Sequence, residues 1–295
     1  MLRDSTFPNK NKKLYFKKTK QIMNDNIEKW NEWFAGLTDG DGCFYINKKE
    51  KSISFEVTTH VTDSRVVYDI KNKLKAGSVK LRSHSQSIRY RVKSQSAIID
   101  IVNRLNGKLY NQTRLRQFKN VCESLNIKEI QSPFLVDKKS AYLAGLLDSD
   151  GTLSISVSHS SSENSQKSGV EGRRIRLVNS KAHNQLSLKI TSVYKESLDF
   201  IKNSYGFGKI YEEKPNKRNK SPNVKYHWII RSYNDFVLLY DYAKKNPLKS
   251  VKMHRLRLSL LYFKYKEFKY HLKNPETLEF KMWEKFCTSW FKYSF

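Results

Sequence analysis

Two periodicities take turns along the chain. Spacings of three and four put Val66, Val67, Ile70 and Leu74 on one helical face over Arg65 to Leu74. Alternating or β-branched runs predict strands at Cys43 to Asn47 and Ser52 to Val61, joined by a polar turn at Lys48 to Lys51, and again at Gly77 to Leu81 and Ile88 to Val92. The same succession returns later, with strands at Thr152 to Val157, Ile175 to Ile190, Gly208 to Glu212 and Val224 to Arg231 and a helix from Lys195 to Asn203. Each half then closes in helices. Residues 96–125 lie over residues 234–263 without gaps at a shift of 138, so that Ile98 matches Phe236, Ile101 matches Leu239 and Phe118 matches Leu256. Their spacing predicts two helices per half, broken at Asn106-Gly107 and at Asn246-Pro247. The expected class is α+β, built from two αββαββα repeats, each with an extra closing helix.

The repeats differ mainly in loops. Ser158 to Gly172 is rich in Ser, Asn and Gly and reads as a flexible hairpin tip, and Lys214 to Asn223 carries Lys214, Lys217, Arg218 and Lys220 among turn residues. Apolar periodicity lapses around Ser132-Pro133 and Asp137-Lys138-Lys139, which divides the chain into a first domain at 27–130, a linker at 131–139 and a second domain at 140–295 with C-terminal helices. Residues 1–26 are lysine-rich with few apolar positions and read as a mobile basic arm rather than a transit peptide.

Charge narrows the partner. Lys plus Arg total 56 against 28 Asp plus Glu, a net charge of +28 spread through the chain, and a polyanion such as nucleic acid is the usual counterpart of that excess. Hydrophobic residues at 38% and aromatics at 13% suffice for a core, which argues against a disordered basic protein. Cys43, Cys122 and Cys287 are odd in number and far apart, so they form neither a disulfide framework nor a zinc site and suit a reducing compartment. No apolar run approaches the about 20 residues that span a bilayer, so a soluble protein without membrane attachment is expected.

The candidate chemistry lies in a duplicated decapeptide. Trp33-Phe34-Ala35-Gly36-Leu37-Thr38-Asp39-Gly40-Asp41-Gly42 and Tyr142-Leu143-Ala144-Gly145-Leu146-Leu147-Asp148-Ser149-Asp150-Gly151 stand 109 residues apart, Asp41 against Asp150. Ala35-Gly36 and Ala144-Gly145 leave almost no side chain on one helix surface, which lets two helices approach backbone to backbone. Each run ends in acids and a glycine that can turn a helix into a strand. Two carboxylates brought together at the negative ends of two helices favour a divalent cation between them, and hard oxygen donors suit Mg²⁺.

The motifs FAGLTDGDG (Phe34 to Gly42) and LAGLLDSDG (Leu143 to Gly151), with the αββαββα order over residues 27–265, resemble the LAGLIDADG homing endonucleases in their single-chain, double-motif form. The resemblance implies a monomer of two pseudo-symmetric halves whose motif helices form the interface, with two antiparallel sheets making a saddle over double-stranded DNA. Asp41 and Asp150 would bind Mg²⁺, with Mn²⁺ able to substitute, and Gly40 and Ser149 would add backbone carbonyls. The implied reaction is two-metal hydrolysis across the minor groove, leaving short 3′ overhangs. A basic residue near each scissile phosphate falls at Arg114 and Lys252, which the internal alignment pairs. Arg114 departs from the usual lysine and, being always protonated, cannot carry a proton. Thr59 and Ser192 fall by strand phase where the family often orders water, although neither is the amide often seen there.

For recognition, alternate strand residues should face the major groove. Lys80, Arg82, His84, Arg89, Arg91 and Lys93 in the first half, and Arg174, Arg176, Lys225 and Arg231 in the second, are the expected DNA-facing set. His60, His183 and His227 have no ligand spacing. The expected activity is site-specific cleavage of a long asymmetric target, promoting intron mobility. The alternatives are a group I intron RNA maturase, alone or in addition, and a non-catalytic DNA-binding protein. The Lys, Asn, Tyr, Phe and Ile bias looks like an A+T-rich organellar genome, mitochondrial before plastid.

Overall fold

The first motif helix, α1 (Asn9–Asp41), runs without a break to the second acid of its motif. The computed structural model describes residues 9–47, 49–50, 52–158, 167–181, 183–215 and 224–294. Residues 9–26, expected as an arm, are therefore helical and continuous with the motif helix. Lysine is a good helix former, and neither Pro nor Gly interrupts the chain between Asn9 and Gly36. Residues 1–8 lie outside the described residues, as do residues 159–166 and 216–223 of the two long loops.

After α1 come β1 (Gly42–Asn47), β2 (Ser52–His60), α2 (Ser64–Leu74), β3 (Ser78–Leu81), β4 (Ser87–Val92), α3 (Gln95–Leu105) and α4 (Gln112–Ser124). The second half comprises α5 (Tyr142–Ser149), β5 (Thr152–Ser158), α6 (Gly169–Val178), β6 (His183–Ser192), α7 (Lys195–Tyr205), β7 (Lys209–Glu213), β8 (Lys225–Ile230), α8 (Tyr233–Lys245), α9 (Lys252–Glu267) and α10 (Leu278–Trp290). Each half holds one four-stranded antiparallel sheet, in the orders β1-β2-β4-β3 and β5-β6-β8-β7. Phe55, Val57, Tyr90 and Val92 are buried on one face of the first sheet, and Leu186, Leu188, Trp228 and Ile230 on one face of the second.

One strand boundary differs from the sequence reading. Ile175 to Ile190 was expected as one strand, but residues through Val178 belong to α6, and β6 begins at His183, opposite Ser158. Arg174-Ile175-Arg176-Leu177 mimics strand alternation. What decides otherwise is α10: its Trp283 Nε1 donates to Val178 O at 3.1 Å, and Arg174 lies within reach of Thr288. An i,i+3 ion pair between Glu171 and Arg174 at 2.7 Å supports the helix locally.

The halves meet on α1 and α5. A Cβ on Gly36 would overlap Tyr142 O and lie 2.8 Å from Leu146 N, while one on Gly145 would overlap Trp33 O and lie 2.7 Å from Leu37 N. The contact is backbone against backbone, so no side chain can yield. Gly36→Ala and Gly145→Ala should each lower the unfolding free energy by about 1–3 kcal/mol or more through overpacking, measured by urea denaturation.

Candidate active site

The same close approach sets the site. Asp41 is the last residue of α1, and Asp150 caps the C-terminus of α5. A Cβ on Gly40 would strike the Ser149 side chain and stand 3.1 Å from Asp150 Cγ, so the two motif ends lie in contact. Burial, then repulsion from Asp150, raises the Asp41 carboxyl to about 6. Asp150 keeps an open face to solvent, yet the surrounding protein dehydrates it enough to raise its pKa as well.

Two basic side chains arrive from the closing helices. Lys252 Nζ donates to Leu147 O at 2.9 Å, Asp148 O at 2.8 Å and Ser149 O at 2.9 Å. Arg114 donates to Gly40 O at 3.0 Å. These are helix-end carbonyls, Leu147 O shared with Gly151 N at 3.2 Å, and the helix dipole favours a cation there. The structure thus brings Arg114 and Lys252 to matching places beside Asp41 and Asp150, as the internal alignment pairs them. Burial lowers the Lys252 pKa, against the pull of Asp148, Asp63, Asp41 and Asp150.

The first acid of each motif has a separate job that sequence reasoning missed. Tyr142 OH donates to Asp39 Oδ2 at 2.7 Å, and Trp33 Nε1 donates to Asp148 Oδ2 at 2.8 Å, so each helix lends an aromatic donor to the other's carboxylate. Each acid also accepts backbone amides leading into its closing helix: Tyr110 N at 2.7 Å on Asp39, and Lys249 N and Ser250 N, both at 2.9 Å, on Asp148. Burial lifts Asp39 to about 7. The available signal was recurrence of this acid at one place in both decapeptides.

Among the described residues no group of three or more His, Cys, Asp or Glu could by itself hold a metal ion. The donor set at the seam is two carboxylates that repel one another and the carbonyls of Gly40 and Ser149. Hard oxygens, two of them from carboxylates held together despite their repulsion, fit a small divalent cation. Ser192 lines a cavity of about 50 Å³ together with Asp150, and its Oγ accepts from Tyr194 N at 3.0 Å. Strand register places Thr59 at the corresponding position, since Cys43 opposes Glu56 as Thr152 opposes Lys189.

Directly opposed residues share a face of an antiparallel sheet. On the open face of the first sheet, Lys80 and Thr58 flank Arg89, while Ser78 and Glu56 flank Arg91. Glu56 pairs with both arginines, at 3.0 Å to Arg89 and 2.7 Å to Arg91. Arg82 and His84 sit in the exposed β3–β4 turn, where His84 has φ 56°, and Lys93 follows β4. The open face of the second sheet carries Ser154, Ser156, Gln185, Ser187, Lys189 and Lys209. Lys225 opposes Glu213 there, and the Arg231 guanidinium lies 5.2 Å from the Tyr211 ring centroid. Arg174 and Arg176 do not belong to this face: both lie on α6, Arg174 paired with Glu171 and Arg176 donating to Lys167 O at 3.4 Å. The misplaced strand start also hid Gln185 and Lys189, whose alternation is plain once β6 begins at His183. His227 is buried on this face between Glu213, at 2.6 Å, and Thr191, at 2.9 Å, a structural role.

Paired small-residue helices, an acid from each at their seam and a four-stranded antiparallel sheet on either side define a single-chain, double-motif protein of pseudo-twofold design. The sequence profile described as LAGLIDADG endonuclease matches residues 34–125 and 143–263, and the chain belongs to that family. It is 35% identical over 277 residues to a probable intron-encoded endonuclease aI2 of Debaryomyces hansenii, an alignment covering 92% of this chain and 39% of that protein. It is 32% identical over 270 residues to the intron-encoded RNA maturase bI4 of Saccharomyces cerevisiae, covering 91% of this chain and 38% of that protein. The chain thus spans about two fifths of the length of these relatives. The fold is also that of the I-LtrWI LAGLIDADG homing endonuclease bound to target DNA, with a TM-score of 0.62 at 16% identity over 89% of this chain and 97% of that one. Among the described residues no helix is long and apolar enough to cross a membrane.

Asp41 and Asp39 bind protons in the folded state at pH values where the unfolded chain has released them. Their contribution is therefore present below about pH 4 and lost as pH rises through about 6 to 7. Between about pH 5 and about pH 8 the metal-free protein should lose thermal stability, and Mg²⁺ should recover more of it at the higher pH. Asp41→Asn should reduce both effects, read by Tm against pH.

Proposed function

We propose that this chain is a site-specific, metal-dependent DNA endonuclease that makes double-strand breaks in a long asymmetric target. The observation that carries the reading is the meeting of Asp41 and Asp150 at the seam, each flanked by a cation from its own half's closing helix. The carboxylates, with Gly40 O and Ser149 O, would hold Mg²⁺ or Mn²⁺. When bound, such an ion supplies Lewis acidity to the phosphodiester and acidifies water. Arg114 and Lys252 place fixed positive charge where phosphate charge grows during cleavage, Arg114 without proton exchange and Lys252 from a dehydrated setting that makes its proton easier to give up. Ser192 and Thr59 offer hydroxyls that can orient water. Lys80, Arg82, Arg89, Arg91 and Lys93 on one sheet and Lys189, Lys209, Lys225 and Arg231 on the other would grip the duplex, arginine being suited to guanine edges and lysine to phosphate.

Each strand would be cut once, leaving short 3′ overhangs, and both centres lie in one chain, so a monomer suffices. The relatives' description as intron-encoded supports a role in intron mobility and, with the A+T-biased composition, a mitochondrial setting. A second reading is favoured by the 32% identity to an RNA maturase: binding of its own group I intron RNA, alone or in addition. Incubation of the purified chain and Mg²⁺ with a plasmid library of intron-flanking and randomised sequences separates the two. Discrete double-strand breaks are expected from wild type. Asp41→Asn and Asp150→Asn should each lower cleavage by on the order of 10²-fold or more while leaving DNA binding in Ca²⁺ largely intact. Binding without cutting by the wild type, together with faster splicing of intron RNA, would move the assignment to maturase.

A further inference from the structure

Lys252 comes to the site from a helix that does not cap itself. In the first half the cap is local: Asn111 Oδ1 accepts from Thr113 N at 2.9 Å and Arg114 N at 3.3 Å. The internal alignment puts Lys249 at the position of Asn111, and a lysine has no acceptor to offer. Val251, the N-cap residue of α9, makes no side-chain cap. The missing acceptor is supplied by the other half. Asp63, buried at the end of a 3-10 turn (Val61–Asp63) after β2, accepts from Val251 N through Oδ1 at 2.7 Å. Val251 immediately precedes Lys252, whose Nζ then has to meet three carbonyls at once.

Other residues of the first half hold the same turn. Asp69 Oδ2 accepts from Lys249 Nζ at 2.6 Å and from Trp30 Nε1 at 2.9 Å, and the Lys249 ammonium stands 3.7 Å from the Trp33 ring centroid. In the opposite direction the second half reaches the turn before α4 with rings, Phe200 stacking on Tyr110 at 4.1 Å, and among the described residues no carboxylate of that half accepts from the amides that open α4. Four residues beyond the paired Thr59 and Ser192 stand Asp63 and Glu196, and Glu196 is exposed in the first turn of α7. The helix that carries Arg114 is capped by its own half, and the helix that carries Lys252 by its neighbour.

We propose that Asp63 is a positioning residue for Lys252, so that the first half sets the geometry of the cleavage centre completed by the second, and the two target strands depend unequally on Asp63. This rests on the endonuclease reading, in which Arg114 and Lys252 each stand at a scissile phosphate. A cap that only steadied the fold would slow both strands alike, whereas a displaced Lys252 slows one, because misplacement of about 1 Å at a reacting centre can cost on the order of 10²-fold.

The test uses the full chain and its selected target on a supercoiled plasmid, with each strand also followed separately in end-labelled duplex. Asp63→Ala should slow one strand at least about 10-fold more than the other, so that nicked circles accumulate. Asp63→Asn, which keeps the oxygen acceptor, should restore the strand ratio to near that of wild type. Asp63→Glu keeps charge and acceptor but lengthens the reach; should the alanine variant fail to bind DNA in Ca²⁺, the same one-strand bias is expected from it. Equal slowing of both strands, or unchanged cutting, in a variant that still binds DNA overturns the proposal. A wild-type protein that leaves every target uncut overturns the endonuclease reading instead.

Discussion

Contact of α1 and α5 at backbone distance is the constraint from which the rest of the molecule follows. Gly36 and Gly145 each lie where a Cβ would overlap a carbonyl of the opposing helix. That approach brings the two helix C-termini together and, with them, Gly40 against Ser149 and Asp150. A wider crossing with ordinary side chains would separate the helix axes by several ångströms, and the acids would no longer share one cleft. The cost is electrostatic. Two helix-end carbonyl clusters and two carboxylates meet, so that burial raises both Asp41 and Asp150, and repulsion from Asp150 raises Asp41 further.

The molecule answers this concentration of negative charge with cations on rigid supports. Arg114 and Lys252 sit in the first turns of α4 and α9 and reach the carbonyls that the motif helices leave open. Their placement depends in turn on Asp39 and Asp148, whose carboxylates take an aromatic donor from the opposite helix and amides from the segment before the closing helix. Interface, acid pair and basic residues therefore form one connected network rather than three separate features.

Pseudo-symmetry holds in the network and fades away from it. The first sheet offers arginines ordered around Glu56, whereas the second offers hydroxyls and an amide beside lysines, so the two open faces differ in chemistry. The second half also carries α6 and α10, which pack on one another through Val178 and Trp283. These additions lie outside the repeat unit and leave the motif helices undisturbed.

Much of this was legible in the chain itself. Period-two and period-3.6 apolar patterns located seven of the eight strands within a residue or two, and with them α2, α3, α4, α7, α8 and α9, because each of those elements buries one face against its own half. Duplication of the decapeptide exposed the acid pair, and the gapless shift between residues 96–125 and 234–263 paired Arg114 with Lys252. Local pattern failed where a distant segment decided the outcome: Arg174 to Leu177 alternates like a strand but is helical because α10, a hundred residues later, packs on it. The same limit hid Asp39, Asp148 and Asp63. An isolated aspartate before a glycine or a serine reads as a turn residue, and only the folded chain shows which donors reach it from across the interface. Sequence by itself determined the two-fold plan, the acids and their basic partners, since these are written in repeats and spacing. Tertiary structure decided which half holds each group in place, since a hydrogen bond between residues 63 and 251 leaves no periodic trace in either segment.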